Sequence, residues 1–172
     1  MNLNNFNNLI ELFFYQSEKQ DPKSIFLQWL NPNNKKVFTW EETKTNILKL
    51  SKTIKENIKE GDRCLLVSEN RPEWFISDLA IMLSGAITVP AYTTYTEDDY
   101  KYLIEDCEPT VVIVSNNEML KKLNIVINEK NFIKKVITFD EVEKTCNNLN
   151  IDNKEKYLDF NSIMQNDLSE KD

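Results

Sequence analysis

Two runs of carboxylates, Glu97-Asp98-Asp99 and Glu105-Asp106, are the residue types best suited to general acid–base chemistry in this chain. Each run has a plainer use. The first follows Thr96 and completes a helix N-cap, and the second lies at a helix end, so both read as solvated helix termini. Three cysteines, Cys64, Cys107 and Cys146, lie about forty residues apart with no C-x-x-C spacing. They read as reduced, mostly buried thiols rather than as metal or redox ligands. There is no histidine, which removes imidazole bases, Ser-His and Cys-His pairs and His-ligated metals. Glycine occurs only at Gly61 and Gly85, and a phosphate cradle needs several glycines within a few residues for close backbone approach. No catalytic, cofactor-binding or metal-binding residue is assigned from these types and spacings.

The 172 residues are enough for one domain or most of one. Lys and Arg number 21 against 28 Asp and Glu, a net charge of −7 with a pI near 4.8. Such a surface repels phosphate backbones, so nucleic acid is excluded as a partner on electrostatic grounds. No apolar stretch approaches the ~20 residues that span a bilayer, and the N-terminus lacks the basic and apolar regions of a secretory signal. The expected location is cytoplasmic, with room for peripheral membrane association.

The elements that would position any site follow from the patterning. Phe6, Leu9, Ile10 and Phe13 make a helical stripe. Ile25–Leu30, the turn Asn31-Pro32-Asn33-Asn34 and Lys36–Thr39 read as a hairpin. Thr39-Trp40-Glu41-Glu42 is a capping box opening a helix with Ile47, Leu50, Ile54 and Ile58 on one face. From Gly61 onward strands and helices alternate: Arg63–Val67, a helix capped by Asn70 with Pro72 in its first turn, Ile87–Pro90, and a helix capped at Thr96. Val111–Val114, a helix opened by a capping box at Ser115, and Val136–Phe139 complete the series. A weak signal around Tyr157–Met164 allows one more short element. The fold class is α/β: an N-terminal helix and β-hairpin, then about four strands alternating with helices in a mostly parallel sheet, as part of a larger domain.

Ligands of doubly wound sheets sit at the strand carboxyl ends, which here carry Ser68-Glu69-Asn70, Ala91-Tyr92-Thr93-Thr94, Ser115-Asn116 and Asp140. These lack the paired acids of a phospho-receiver domain and the Ser/Thr/Gly-rich loop of a flavodoxin-like site. The informative signal is instead an ordered string. Gly61-Asp62-Arg63, Ser68-Glu69-Asn70-Arg71-Pro72-Glu73-Trp74, Asp78-Leu79-Ala80, Gly85-Ala86, Val89-Pro90 and Tyr92 occur in sequence, with Thr39-Trp40 upstream and Val114-Ser115-Asn116 downstream. This string resembles the N-terminal part of the AMP-forming acyl-CoA synthetases, nearest to the long-chain fatty acid–CoA ligases of the adenylate-forming superfamily.

The resemblance covers residues 6–145 closely and the remainder loosely. It implies that 1–145 is the N-terminal portion of an AMP-binding (adenylation) domain, and that 146–172 is a polar tail leading toward the strand that feeds the family's phosphate loop. It also implies the family's reaction, in which a carboxylate displaces pyrophosphate from ATP and coenzyme A thiol then displaces AMP. ATP, Mg and coenzyme A are thereby implied for the complete enzyme and none for this segment, since the phosphate loop and the later metal, ribose and lysine positions have no counterpart here. The segment alone is expected to be inactive. Its implied partner is the remainder of the ligase, in cis or in trans, with fatty acid as substrate only of the whole. The alternative is a stand-alone α/β interaction module or split-protein subunit that docks on a catalytic chain. Under either reading Arg71 is expected to fix its own loop by pairing with a carboxylate or carbonyls.

Overall fold

The structure, a computed structural model, describes residues 6–31, 34–141 and 153–166. Helix α1 (Leu9–Ser17) starts where the Asn8 side chain accepts the Glu11 amide at 2.8 Å, and it turns Phe13 inward. Phe6 precedes this helix and Leu9 is exposed, so the expected stripe is narrower than its spacing suggested. Strands β1 (Ile25–Asn31) and β2 (Asn34–Thr39) form an antiparallel hairpin with a register shift between Ile25 and Leu27. Thr39 ends the hairpin and caps helix α2 (Trp40–Lys55) through the reciprocal box with Glu42, at 3.1 and 2.8 Å. Two orphan donors of the helix end are satisfied together in this way.

The second unit of structure is a five-stranded parallel sheet of β3 (Arg63–Val67), β4 (Ile87–Ala91), β5 (Val111–Val114), β6 (Lys135–Thr138) and β7 (Tyr157–Asp159). Its order is β4-β3-β5-β6-β7. The connecting helices are α3 (Pro72–Leu83), α4 (Glu97–Cys107) and α5 (Asn117–Glu129), and α6 (Phe160–Gln165) follows β7. Side chains alternate across the three central strands as the pleat requires. Cys64, Leu66, Val111, Ile113 and Ile137 pack with α2, α3 and Phe13. Leu65, Val67, Val112, Val114 and Val136 pack with Tyr100 and Ile104 of α4 and Leu120, Leu123 and Ile127 of α5. Both faces are covered, which is why these strands read as continuous apolar runs.

Four details depart from the sequence expectations. The sheet has five strands rather than four, because Tyr157–Asp159 pairs with β6 and is followed by a helix that buries Phe160 and Ile163. Helix α3 is capped by the backbone of Arg71 and not by Asn70, with Pro72 at its first position. Helix α5 is capped by Asn116, whose side chain accepts the Met119 amide at 2.9 Å, while Ser115 is fully buried. Pro90 lies within β4, opposite Leu66, where the edge position spares it from donating to a ladder.

Chain turns explain both glycines. Gly85, at φ +88°, ends α3 in a Schellman arrangement: its amide bonds Met82 O at 3.1 Å, and the Ala86 amide bonds Ile81 O at 3.2 Å. Gly61, at φ +81°, donates to Gly85 O at 2.8 Å, and a Cβ there would meet nothing within 4 Å, so its backbone angle alone requires glycine. Glu108 takes the same left-handed role at the end of α4, at φ 43°, just before Pro109.

Burial pushes the Cys64 thiol up to about 12, with Asp62 adding to the effect. Cys107 is half-buried and also raised, mainly by burial. Cys146 lies outside the described residues. Among the described residues no helix is long and apolar enough to cross a membrane.

Candidate functional site at the strand-order reversal

Strand β3 has β4 on one side and β5 on the other, so the order reverses between the loops that follow β3 and β5. In open parallel sheets a crevice opens at that point. Here it is filled. Arg71, 8% exposed, donates from Nη1 to Ser115 O at 3.4 Å, across the reversal. Its Nε and Nη2 bond both carboxylate oxygens of Glu73, at 2.9 and 2.8 Å. Trp29 of β1 and Phe139 beyond β6 lie with ring centroids 4.7 and 5.1 Å from the guanidinium carbon. Glu69 approaches Nη1 at 3.5 Å, and Lys36 of β2 donates to Glu73 Oε1 at 2.5 Å.

Glu73 is 1% exposed, so this is a buried ionic cluster. Burial alone would raise its carboxyl, but the hydrogen bonds from Arg71 and Lys36 outweigh burial and hold it below the usual range. For Arg71, burial opposes the charge, while Glu73 first, then Glu69 and Asp140, raise the guanidinium further. A planar fork matched to a carboxylate and stacked on rings is the arrangement in which Arg outperforms Lys. With its donors taken by Glu73, Ser115 and Glu69, the guanidinium works as a clamp joining hairpin, helix α3 and sheet. The expected carboxylate pairing of Arg71 is what the structure shows.

Three further residues of the string have scaffold contacts. Asp62 accepts the Lys59 amide at 2.9 Å and the Thr110 hydroxyl at 3.0 Å, and these bonds hold its carboxyl low. Arg63 bonds the carbonyls of Cys107 and Glu108, at 2.7 and 3.2 Å, and so closes the carbonyl end of α4. Tyr92 O accepts the hydroxyl of fully buried Tyr100 at 2.7 Å. Among the acid runs, Asp99 completes the Thr96 cap and Glu105 pairs with Lys130 at 2.8 Å. Lys36, Trp29 and Phe139 carry no signal in the sequence, because their roles depend on contacts between distant segments.

Beside the clamp, between the carboxyl ends of β3 and β4, lies a cleft of about 470 Å³. Ser68, Glu69, Asn70, Trp74, Pro90 and Tyr92 are among its lining residues. The Ser68 hydroxyl donates to Glu69 O at 2.8 Å. The two glycines sit at the amino ends of β3 and β4, away from this cleft. Among the described residues no group of three acidic, Cys or His side chains could hold a metal ion. Among the described residues the cleft thus offers a polar and aromatic lining beside a braced loop, without a phosphate cradle or a nucleophile–base pair.

Residues 14–170 match the family described as AMP-binding enzyme. A long-chain-fatty-acid–CoA ligase of Mycobacterium tuberculosis, FadD15, is 29% identical over 104 residues, which cover 60% of this chain and 17% of that protein. The long-chain-fatty-acid–CoA ligase ACSBG2 of Xenopus laevis is 31% identical over 81 residues, covering 46% of this chain and 11% of the relative. The chain therefore spans a small part of the length of these curated relatives. Among solved structures, the anthranilate CoA ligase AuaEII in complex with anthranoyl-AMP superposes with a TM-score of 0.75 at 19% identity, covering 96% of this chain and 30% of that one. The coronafacic acid ligase from Pectobacterium brasiliense gives 0.74 at 18% identity, with 91% and 29% covered. At these identities the two structures bear on the fold alone.

Proposed function

Because the chain belongs to the AMP-binding enzyme family, we propose that it supplies the N-terminal scaffold of an ATP-dependent acyl-CoA ligase acting on long-chain fatty acids. The observation that carries this reading is the Arg71–Glu73–Lys36 clamp. It assigns the Asn-Arg-Pro-Glu-Trp string a bracing role at the strand-order reversal, and it leaves the chemistry to other parts of a complete enzyme. The long-chain relatives support the substrate class. The described residues do not by themselves fit Mg-ATP, for want of a cradle and an acid cluster, so no chemical step and no catalytic residue is assigned to them. Residues 1–145 belong in this reading to the adenylation domain, with 146–172 leading toward its phosphate loop, in a cytoplasmic ligase.

A coupled pyrophosphate assay tests the proposal. The 172-residue chain, given Mg-ATP, coenzyme A and palmitate, should release no pyrophosphate. Mixed with a segment of a related ligase that begins at its phosphate loop, it should give release that depends on a long-chain acid. Turnover by the chain alone would refute the scaffold role, and a mixture active on acetate but not on palmitate would refute the substrate class.

A further inference from the structure

At the amino ends of β6 and β7, the end of the sheet away from the Arg71 clamp, four lysines converge on one pocket. Lys130, Lys134, Lys135 and Lys156 line a cavity of about 460 Å³ in which, among the described residues, Glu155 is the single carboxylate. This concentration of positive charge occurs in a chain of net charge −7. Lys130 is paired with Glu105 of α4 at 2.8 Å. Among the described residues the other three ammonium groups bond backbone carbonyls: Lys134 to Asn131 O at 2.7 Å, Lys135 to Glu155 O at 2.7 Å and Lys156 to Ile127 O at 2.8 Å. A carbonyl orients an ammonium without neutralising it, and each ammonium has three donors. The charges are also close enough to act on one another. Lys156 is lowered, first by its burial and then by the neighbouring charge of Lys134.

We propose that this pocket binds a phosphate-bearing anion, held by Lys134, Lys135 and Lys156. Lysine suits such a ligand as a compact point charge with rotatable donors, whereas a planar carboxylate is better matched by the arginine fork. A multiply charged phosphate relieves the repulsion between Lys134 and Lys156, which a neutral ligand cannot do. The two sources of that chemistry are a free phosphate compound and the headgroup of an anionic phospholipid.

The experiment uses the full 172-residue chain. Inorganic pyrophosphate is titrated while the lysine side chains are followed by NMR, and in parallel vesicles of phosphatidylglycerol or phosphatidylcholine are sedimented with the protein. Saturable binding should appear in the pyrophosphate arm, the phosphatidylglycerol arm or both, and should weaken steeply with salt. In the pyrophosphate arm the Lys156 ammonium should titrate at higher pH when the ligand is bound, because an opposite charge favours its protonated form. Lys134→Gln with Lys135→Gln should weaken binding about tenfold or more. Lys52→Gln with Lys101→Gln, which removes the same charge elsewhere, should leave it unchanged. Binding in one arm only identifies the source and supports the site. Absence of saturable binding in both arms overturns the proposal, as does equal weakening by the two double variants, and circular dichroism verifies that both fold.

Discussion

The two faces of the sheet are closed by different means. On the α4–α5 face the strand residues Leu65, Val67, Val112, Val114 and Val136 meet Leu120, Leu123 and Ile127, a largely aliphatic layer into which the Tyr100 and Tyr157 hydroxyls are inserted. On the other face the layer is built from more distant pieces. Phe13, Phe26, Trp40 and Phe75 gather α1, the hairpin, α2 and α3 into one aromatic group, with the Phe26 and Trp40 rings 3.8 Å apart. Beside that group the hairpin is fastened to α3 by Lys36 and Glu73, 37 residues apart. Apolar helix faces close one side, while the other includes a buried ionic cluster in which removing one partner strands the other's charge.

The largest effect should come from breaking that cluster. Glu73→Ala leaves a buried guanidinium without its carboxylate and should cost about 3–5 kcal/mol in urea unfolding. The clamp should also carry a pH signature. Because the folded Glu73 carboxyl lies below its unfolded value, its contribution is present above about pH 4.3 and is lost as pH falls through the folded value. Hydrogen-exchange protection in β1 and β2, corrected for the intrinsic slowing of exchange in acid, should therefore fall on acidification before protection in β5 does. Equal loss in both regions would break the contrast between the faces.

Next in size, Leu123→Ala on the aliphatic face should cost about 2–5 kcal/mol by lost transfer energy and cavity formation. Unlike the Glu73 variant, its effect should not change as pH is lowered from 7 to below about 4.3. The smallest effect belongs to Tyr100→Phe, which removes the 2.7 Å bond to Tyr92 O and should cost about 1 kcal/mol. A cost well above that would show the α4–α5 face to be as dependent on polar fastening as the opposite face.

The legibility of the fold in the sequence follows the same division. Capping boxes at Thr39 and Thr96 lie within four residues and locate α2 and α4. The apolar runs Cys64–Val67 and Val111–Val114 mark doubly covered strands. Asn70 was misread as the cap of α3 because cap preferences are local, whereas Arg71 is held there by Glu73, Ser115 and two rings from elsewhere in the chain. Strand β7 has only three residues, too few for any periodicity. At the strand-order reversal the string around Arg71 was readable, and so was its need for a carboxylate. Its other partners, Trp29, Lys36 and Phe139, were not, since nothing in a linear pattern links a hairpin lysine to a helix acid.

The strand order β4-β3-β5-β6-β7 has a consequence for synthesis on the ribosome. As the chain emerges, β4 adds to one side of β3, β5 to the other, and β6 and β7 each to the newest outer edge. No strand has to be inserted between two already paired. Strands β4, β5 and β6 can each dock as soon as the helix before them is available, and no ladder must open to admit a later arrival. Domains form from the N-terminus during translation at ~5–20 residues per second, so edge addition lets this sheet assemble in step with its own elongation.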